Sequence, residues 1–345
     1  MKITRQFHEF LNTINNVSKN LKSILGTLLM LALIVTGCSK DHNDDGDGDI
    51  LIRPTAEEFN NLKEAALENL TQTFEIDADE GSVTLTSEKG VQIFISGTCL
   101  TLNGNDVTGA VNIEFVELFD KGSMLTANKP TMGIMPNGDR AMLISGGEFY
   151  VNATQDGVDL DINCGFQMQI PTDLTGGVDN DMTLWEGRID QDGNLVWGEV
   201  DAAVAGQDAG VFGEGDFYYG FFQSFGWSNV DRFYSDPRPK TTIQVAVPEG
   251  YDNMNSSVYI SYDGEDTGLA HLDTYDDQTG LFSEHYGLIP IGLECHIIFA
   301  TEDGDNWKYA IKSVTIAEND VITFTEDETS IATEAQLTTI INGLP

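Results

Sequence analysis

The sequence predicts a mainly β protein, built as two β-sandwich modules with one short helix near each end of the mature chain. Three observations carry that reading. Short apolar stretches alternate with Asp/Gly/Asn turns along most of the 345 residues, and the chain holds 35 glycines. Several stretches alternate residue by residue, as in Phe166-Gln167-Met168-Gln169-Ile170, the pattern of a sheet with one wet face. Some 300 residues remain once a leader is set aside, which is length enough for about two domains.

Residues 1–37 read as that leader. Arg5, Lys19 and Lys22 precede the apolar run from Ile24 to Val35, which is shorter than the roughly 20 residues a bilayer core requires. The run closes on Thr36-Gly37-Cys38. This resembles the bacterial lipoprotein box, which implies cleavage before Cys38, acylation of its thiol (palmitate among the acyl chains) and a membrane held only through lipid. Residues 38–54 are an acidic tether: Ser39 to Asp49 holds aspartates and glycines but no apolar side chain that could be buried. Asp41, Asn43, Asp45 and Gly46 match the opening of a calcium loop, but Ile52 stands where that loop requires a bidentate Glu. No metal and no cofactor is expected. A Ser- and acid-rich run after the acylated cysteine resembles the export tag of Bacteroidota surface lipoproteins, which implies the outer membrane, facing the exterior.

The first helix is expected over 55–72. Thr55 and Glu58 form a capping box, and Phe59, Leu62, Ala66 and Leu70 make one apolar stripe that should pack on the first sandwich. Residues 73–200 are strand text, with turns at Asp79-Glu80-Gly81, Lys89-Gly90 and Asn103-Gly104-Asn105. Within it, Gly90-Val91-Gln92-Ile93-Phe94-Ile95, then Asn103-Gly104 with Val107, Gly109, Val111 and Ile113, then Ser145-Gly146-Gly147 with Phe149, follow in order. They resemble ZU5-like β-sandwich modules of Bacteroidota surface proteins, which implies a structural or interaction module. Some ZU5 proteins cleave themselves at His-Phe-Ser; here Leu281-Phe282-Ser283 lacks the histidine, so self-cleavage is not expected.

Residues 201–240 read as an aromatic junction. It contains Phe217-Tyr218-Tyr219-Gly220-Phe221-Phe222 and then Gly226-Trp227-Ser228-Asn229-Val230-Asp231-Arg232-Phe233. The second stretch resembles a signature that recurs in lipoproteins of the same group. Trp227, Asn229, Asp231 and Arg232 could hold a sugar by stacking and hydrogen bonds. Alternatively they are core, with Arg232 paired to Asp231 or another nearby acid. Residues 241–325 follow an immunoglobulin-like pattern of short strands. In 326–345, Thr333 and Gln336 cap a last helix expected to dock on that second module.

The chain carries 17 basic and 56 acidic side chains, a net charge of −39. Loss of residues 1–37, with four basic groups and one acid, takes it to −42. Such a charge repels nucleic acid, which is excluded as a partner. Of the cysteines beyond Cys38, Cys99 and Cys164 fall in one module and are the better disulfide pair. His42, His271, His285 and His296 are scattered, and no Cys/His spacing suits zinc. No nucleophile elbow, HExxH, P-loop or dinucleotide fingerprint is present, so no catalytic residue is assigned. The expected function is a non-catalytic, lipid-anchored surface protein that binds a glycan or an envelope or extracellular protein. The alternatives are a structural accessory of an outer-membrane complex and, behind it, a hydrolase acting on extracellular polymer.

Overall fold

Residues that alternate in polarity alternate in burial. In the computed structural model, which describes residues 53–190, 194–201, 210–284 and 286–345, Phe166, Met168 and Ile170 are buried while Gln167 is exposed. The chain is mainly β, and its sheets stack in the manner of sandwiches. The first half forms an eight-stranded sheet ordered Gln72–Asp77, Ala110–Leu118, Arg140–Gln155, Gly226–Phe233, Thr183–Ile189, Leu195–Glu199 and Met132–Ile134, with Val158–Asp159 paired to the long central strand. A five-stranded sheet accompanies it, ordered Gly210–Glu214, Phe217–Phe222, Phe166–Pro171, Gln92–Ser96 and Ser82–Thr86. Ile113, Phe115 and Val151 of the larger sheet share one core with Ile93, Met168 and Ile170 of the smaller.

The larger sheet closes on itself. Met132–Ile134 pairs in parallel with Leu195–Glu199 (Trp197 opposite Gly133) and antiparallel with the start of Arg140–Gln155 (Met132 opposite Met142). Five strands therefore form a ring. Trp197 and Trp227 sit on strands that are not neighbours, yet meet edge to face at 6.4 Å, so they fill the space the ring encloses. Leu143, Trp185 and Leu195 pack with them. The indole of Trp185 donates to the Asp231 carbonyl at 2.9 Å, and that of Trp197 to the Pro130 carbonyl at 3.1 Å. Gly187 permits this filling, because a Cβ there would meet Trp227 Cβ at 2.5 Å. The stretch 210–233 is thus not a junction. Its aromatic runs are hydrogen-bonded strands of the first two sheets, and sheet membership changes only after Phe233.

The second half stacks a five-stranded sheet (Ala270–His271, Ser256–Tyr262, Glu294–Asp303, Asn306–Thr315, Ser330–Ala332) with a four-stranded one (Thr274–Asp276, Leu281–Ser283, Gln244–Ala246, Val321–Thr323). Val258, Ile297 and Phe299 meet Val245, Phe282 and Phe324 between them.

Three helices occur among the described residues: α1 (Ala56–Leu70), α2 (Lys121–Thr126) and α3 (Glu334–Asn342). Both capping boxes are formed, Thr55 with Glu58 and Thr333 with Gln336. The helices do not each belong to one sandwich, as their sequences suggested. Phe59 of α1 packs edge to face on Trp307 of the second half at 6.1 Å, in a cluster with Val116 and Leu118 of the first. Leu337 and Ile341 of α3 join the same cluster, with Met124 and Leu125 of α2. The apolar stripes are wide enough to need both halves. A stripe on a helix records how much surface must be covered, not which neighbour covers it.

Candidate functional site

The Gly226–Phe233 strand is one wall of the ring, and the long central strand paired with it bulges. Asn229 opposes Glu148 and Asp231 opposes Ser145, so Gly146 and Gly147 together face Val230 alone. A glycine is required there: at Gly147, φ is +131° and a Cβ would meet the Phe149 and Phe119 rings within 2.7 Å. The bulge gathers polar groups where water does not reach. Ser145, Glu148, Asn229 and Asp231 are all fully buried. The Ser145 hydroxyl donates to Asn229 Oδ1 at 2.9 Å, and the Asn229 amide donates to both Asp231 and Glu148 Oε1 (3.4 Å). Glu148 Oε2 finds no hydrogen-bond partner among the described residues.

Burial pushes the Glu148 carboxyl well above the usual carboxylate range, and the neighbouring Asp231 pushes it the same way. Burial likewise raises Asp231, against the opposing pull of Ser145, the Gly146 amide and Asn229. Two carboxyls whose burial favours the protonated form, joined by one amide, form a polar brace. Of the four residues singled out by sequence, Asn229 and Asp231 belong to this brace. Trp227 is half-buried, between Tyr150 at 5.2 Å and Lys129, whose ammonium lies 5.2 Å from its ring. Arg232 points the other way and pairs with Asp179 at 2.6 Å, which holds that carboxyl below its usual range. The structure therefore does not bring the four together as one ligand pocket.

An open surface lies elsewhere, on the outer face of the first five-stranded sheet. The strand Phe217–Phe222 buries Tyr218, Gly220 and Phe222 and turns Phe217, Tyr219 and Phe221 outward. Register then lays two rows across the five strands. One runs Phe212, Tyr219, Gln169, Gln92, Thr86; the other runs Gly210, Phe221, Gln167, Phe94, Thr84. Phe212 is 49% exposed and stacks on Tyr219 at 5.3 Å and on Phe221 at 6.1 Å; Phe94 is 37% exposed. At the usual strand spacing the rows are about 19 Å long. None of their side chains is charged. The period-two alternation of Phe217, Tyr219 and Phe221 was the sequence signal for an outward aromatic strip. Its alignment with Gln167, Gln169 and Phe94 depends on pairings between distant segments.

A cleft of about 680 Å³ opens where α1, the residues after α2 and the edge of the second half meet. Lys63, Lys129, Asn128, Ser257, His271 and Asp273 are among its walls. Burial pushes the Lys63 ammonium down to about 8, with Lys129 adding to the effect. His271 is pushed down to about 4 by burial first and by Lys63 and Arg140 after it.

Cys99 and Cys164 are joined by a disulfide, with Cα atoms 5.7 Å apart. Cys295 is a free thiol, buried, and pushed up to about 12 by that burial. His296 bonds Asp263 at 2.8 Å. Cys38, the tether up to residue 52, His42 and His285 lie outside the described residues, while Arg53, placed in the tether by sequence, is held by Glu326 at 2.7 Å. Among the described residues no group of three or more His, Cys, Asp or Glu is placed to hold a metal ion, and no helix is long and apolar enough to cross a membrane. The chain matches no protein-family model and no curated protein.

Proposed function

We propose that the protein is a lipid-anchored cell-surface β-sandwich protein that binds a neutral glycan chain on the outer face of its first five-stranded sheet, and acts by binding rather than by catalysis. The pair of uncharged rows carries this reading. In a chain with 56 acidic side chains, ten consecutive outward positions across five strands hold only aromatic, amide, hydroxyl and glycine residues. An aromatic ring offers a flat apolar face to the C–H face of a sugar. Beside the rings, Gln169, Gln167 and Gln92 can donate and accept hydrogen bonds with hydroxyls. A charged polymer has no partner in these two rows, whereas a neutral one meets no desolvation cost from buried charge there. The apolar run ending at Cys38 supports attachment through lipid, which would hold the face outside the cell where polysaccharide is met.

The test is affinity electrophoresis and pull-down of the full-length protein in detergent against a panel of neutral and acidic polysaccharides. Retention by at least one neutral polymer is expected, with a tenfold or greater loss in Phe212→Ala/Tyr219→Ala. No retention by any neutral polymer, or equal retention of the double variant, would sink the reading.

A further inference from the structure

The cleft beneath α1 is a second site, unlike the neutral face in kind, and it goes beyond the reading above. Its distinguishing feature is two ammonium groups with no carboxylate at ion-pair distance. Lys89, Lys121, Lys240, Lys308 and Lys312 each have a carboxylate within 4.0 Å. Lys63 and Lys129 are the described lysines that have none, and both line this one cleft. In a chain with more than three acids for every base, that pairing of exceptions needs a reason. Each ammonium instead rests near an aromatic ring, Lys63 at 4.2 Å from the Phe59 centroid and Lys129 at 5.2 Å from that of Trp227. Lys129 also donates to the Ala127 carbonyl at 3.1 Å.

Burial disfavours the charged form of both ammonium groups, and the Lys129 charge adds to the effect at Lys63, so a bound oxyanion would offset a cost the empty site carries. The surroundings suit one. Asn128 accepts the Tyr259 hydroxyl through Oδ1 at 2.6 Å, which leaves its amide nitrogen to donate. Ser256 and Ser257 add hydroxyls to the wall. The acid on the opposite wall, Asp273, is engaged by Arg140 at 2.8 Å. The cleft volume lies in the range of small-molecule sites.

We propose that the cleft binds a small molecule or sugar through one compact oxyanion (carboxylate, sulfate or phosphate) held between Lys63 and Lys129. The groups that face the pair are Glu64 on α1, Glu148 behind Lys129, and His271 with Arg140 across the cleft. Of these, burial favours the protonated form of Glu148 and His271 is uncharged at neutral pH, so the pH dependence follows Lys63. Affinity falls as pH rises through about 8, where Lys63 loses its proton.

The experiment is calorimetric titration of the full-length protein with glucuronate, glucose 6-phosphate, inorganic phosphate, sulfate and, as control, glucose, at pH 6.5 and 9.5. It is combined with NMR of the lysine side-chain signals. At least one anion is expected to bind at pH 6.5 and to weaken tenfold or more at pH 9.5, while raising the Lys63 titration midpoint. Lys63→Gln and Lys129→Gln should each weaken it about tenfold. Binding of the free ions supports a site for the oxyanion alone; binding restricted to glucuronate or glucose 6-phosphate supports one that also reads the sugar. The proposal is overturned if no anion moves the Lys63 or Lys129 signals, or if anion binding is the same in both variants. The wild-type titration decides even if a variant fails to fold. The neutral-polysaccharide assay is independent of it, so either result can fail alone.

Discussion

Asp231 and Glu148 are carboxyl groups placed where water does not reach, and their protonation links them to pH. Both are raised well above the ordinary range, so the folded protein holds protons that the unfolded chain has already released above about pH 4. Stability contributed at acid pH is therefore lost as pH rises from about 4 toward the folded values. Asp231→Asn keeps the acceptor for the Asn229 amide and removes the titration. It should raise unfolding free energy at pH 8 by about 1–2 kcal/mol and leave it nearly unchanged at pH 4. Urea unfolding at the two pH values checks this, and a wild type whose stability is flat between them contradicts it. The stretch holding Asn229 and Asp231 was legible in the sequence as unusual, but its expected pair was Arg232 with Asp231 or another acid, and Arg232 pairs with Asp179 instead. The partner Glu148 was not legible, because nothing in a single strand tells which residue stands across a bulge.

Elements show the same division. Capping boxes at Thr55 and Thr333 are local, and both form as written. α2 was missed: six residues long and carrying Gly122, it reads as a turn, although Asp120 caps it by accepting from the Ser123 amide at 2.8 Å. Gly122 is there because α3 crosses it closely. A Cβ at that position would lie 2.5 Å from the Thr338 carbonyl oxygen, and the Gly122 amide donates to Asn342 Oδ1 at 2.7 Å. Gly122→Ala should thus cost about 1–3 kcal/mol by forcing α3 away, despite the better helix propensity of alanine. Chemical denaturation should show the loss, with hydrogen exchange quickening in 334–342 before the strands. An alanine variant as stable as wild type would mean the two helices do not pack this closely. The ring, likewise, hangs on Met132–Ile134, three residues that pair with two strands and carry no periodic signal long enough to read.

For the whole molecule, strand-rich class was visible in composition and alternation, whereas the assignment of strands to sheets was not. The aromatic run at 217–222 looked like a junction because it is dense. In fact, alternate residues face opposite sides of one sheet, and only Phe217, Tyr219 and Phe221 face away from the core. Attachment belongs to this scale too. Replacing Cys38 with Ala should shift the protein from the membrane to the soluble fraction and abolish incorporation of labelled palmitate, measured by fractionation and radiography. A variant that stays acylated and sedimenting would refute lipid attachment at that residue.

The contact between α2 and the last residues also bears on timing. Lys121 is almost completely buried, and its ammonium donates to the Leu344 carbonyl at 3.1 Å, across 223 residues of chain. Until that distant segment arrives, Lys121 has no carbonyl to donate to and the cluster around Phe59 and Trp307 lacks Leu337 and Ile341. The cluster around Phe59 and Trp307 is therefore completed only when segments 223 residues apart have met, and contacts of such long separation are slow to form.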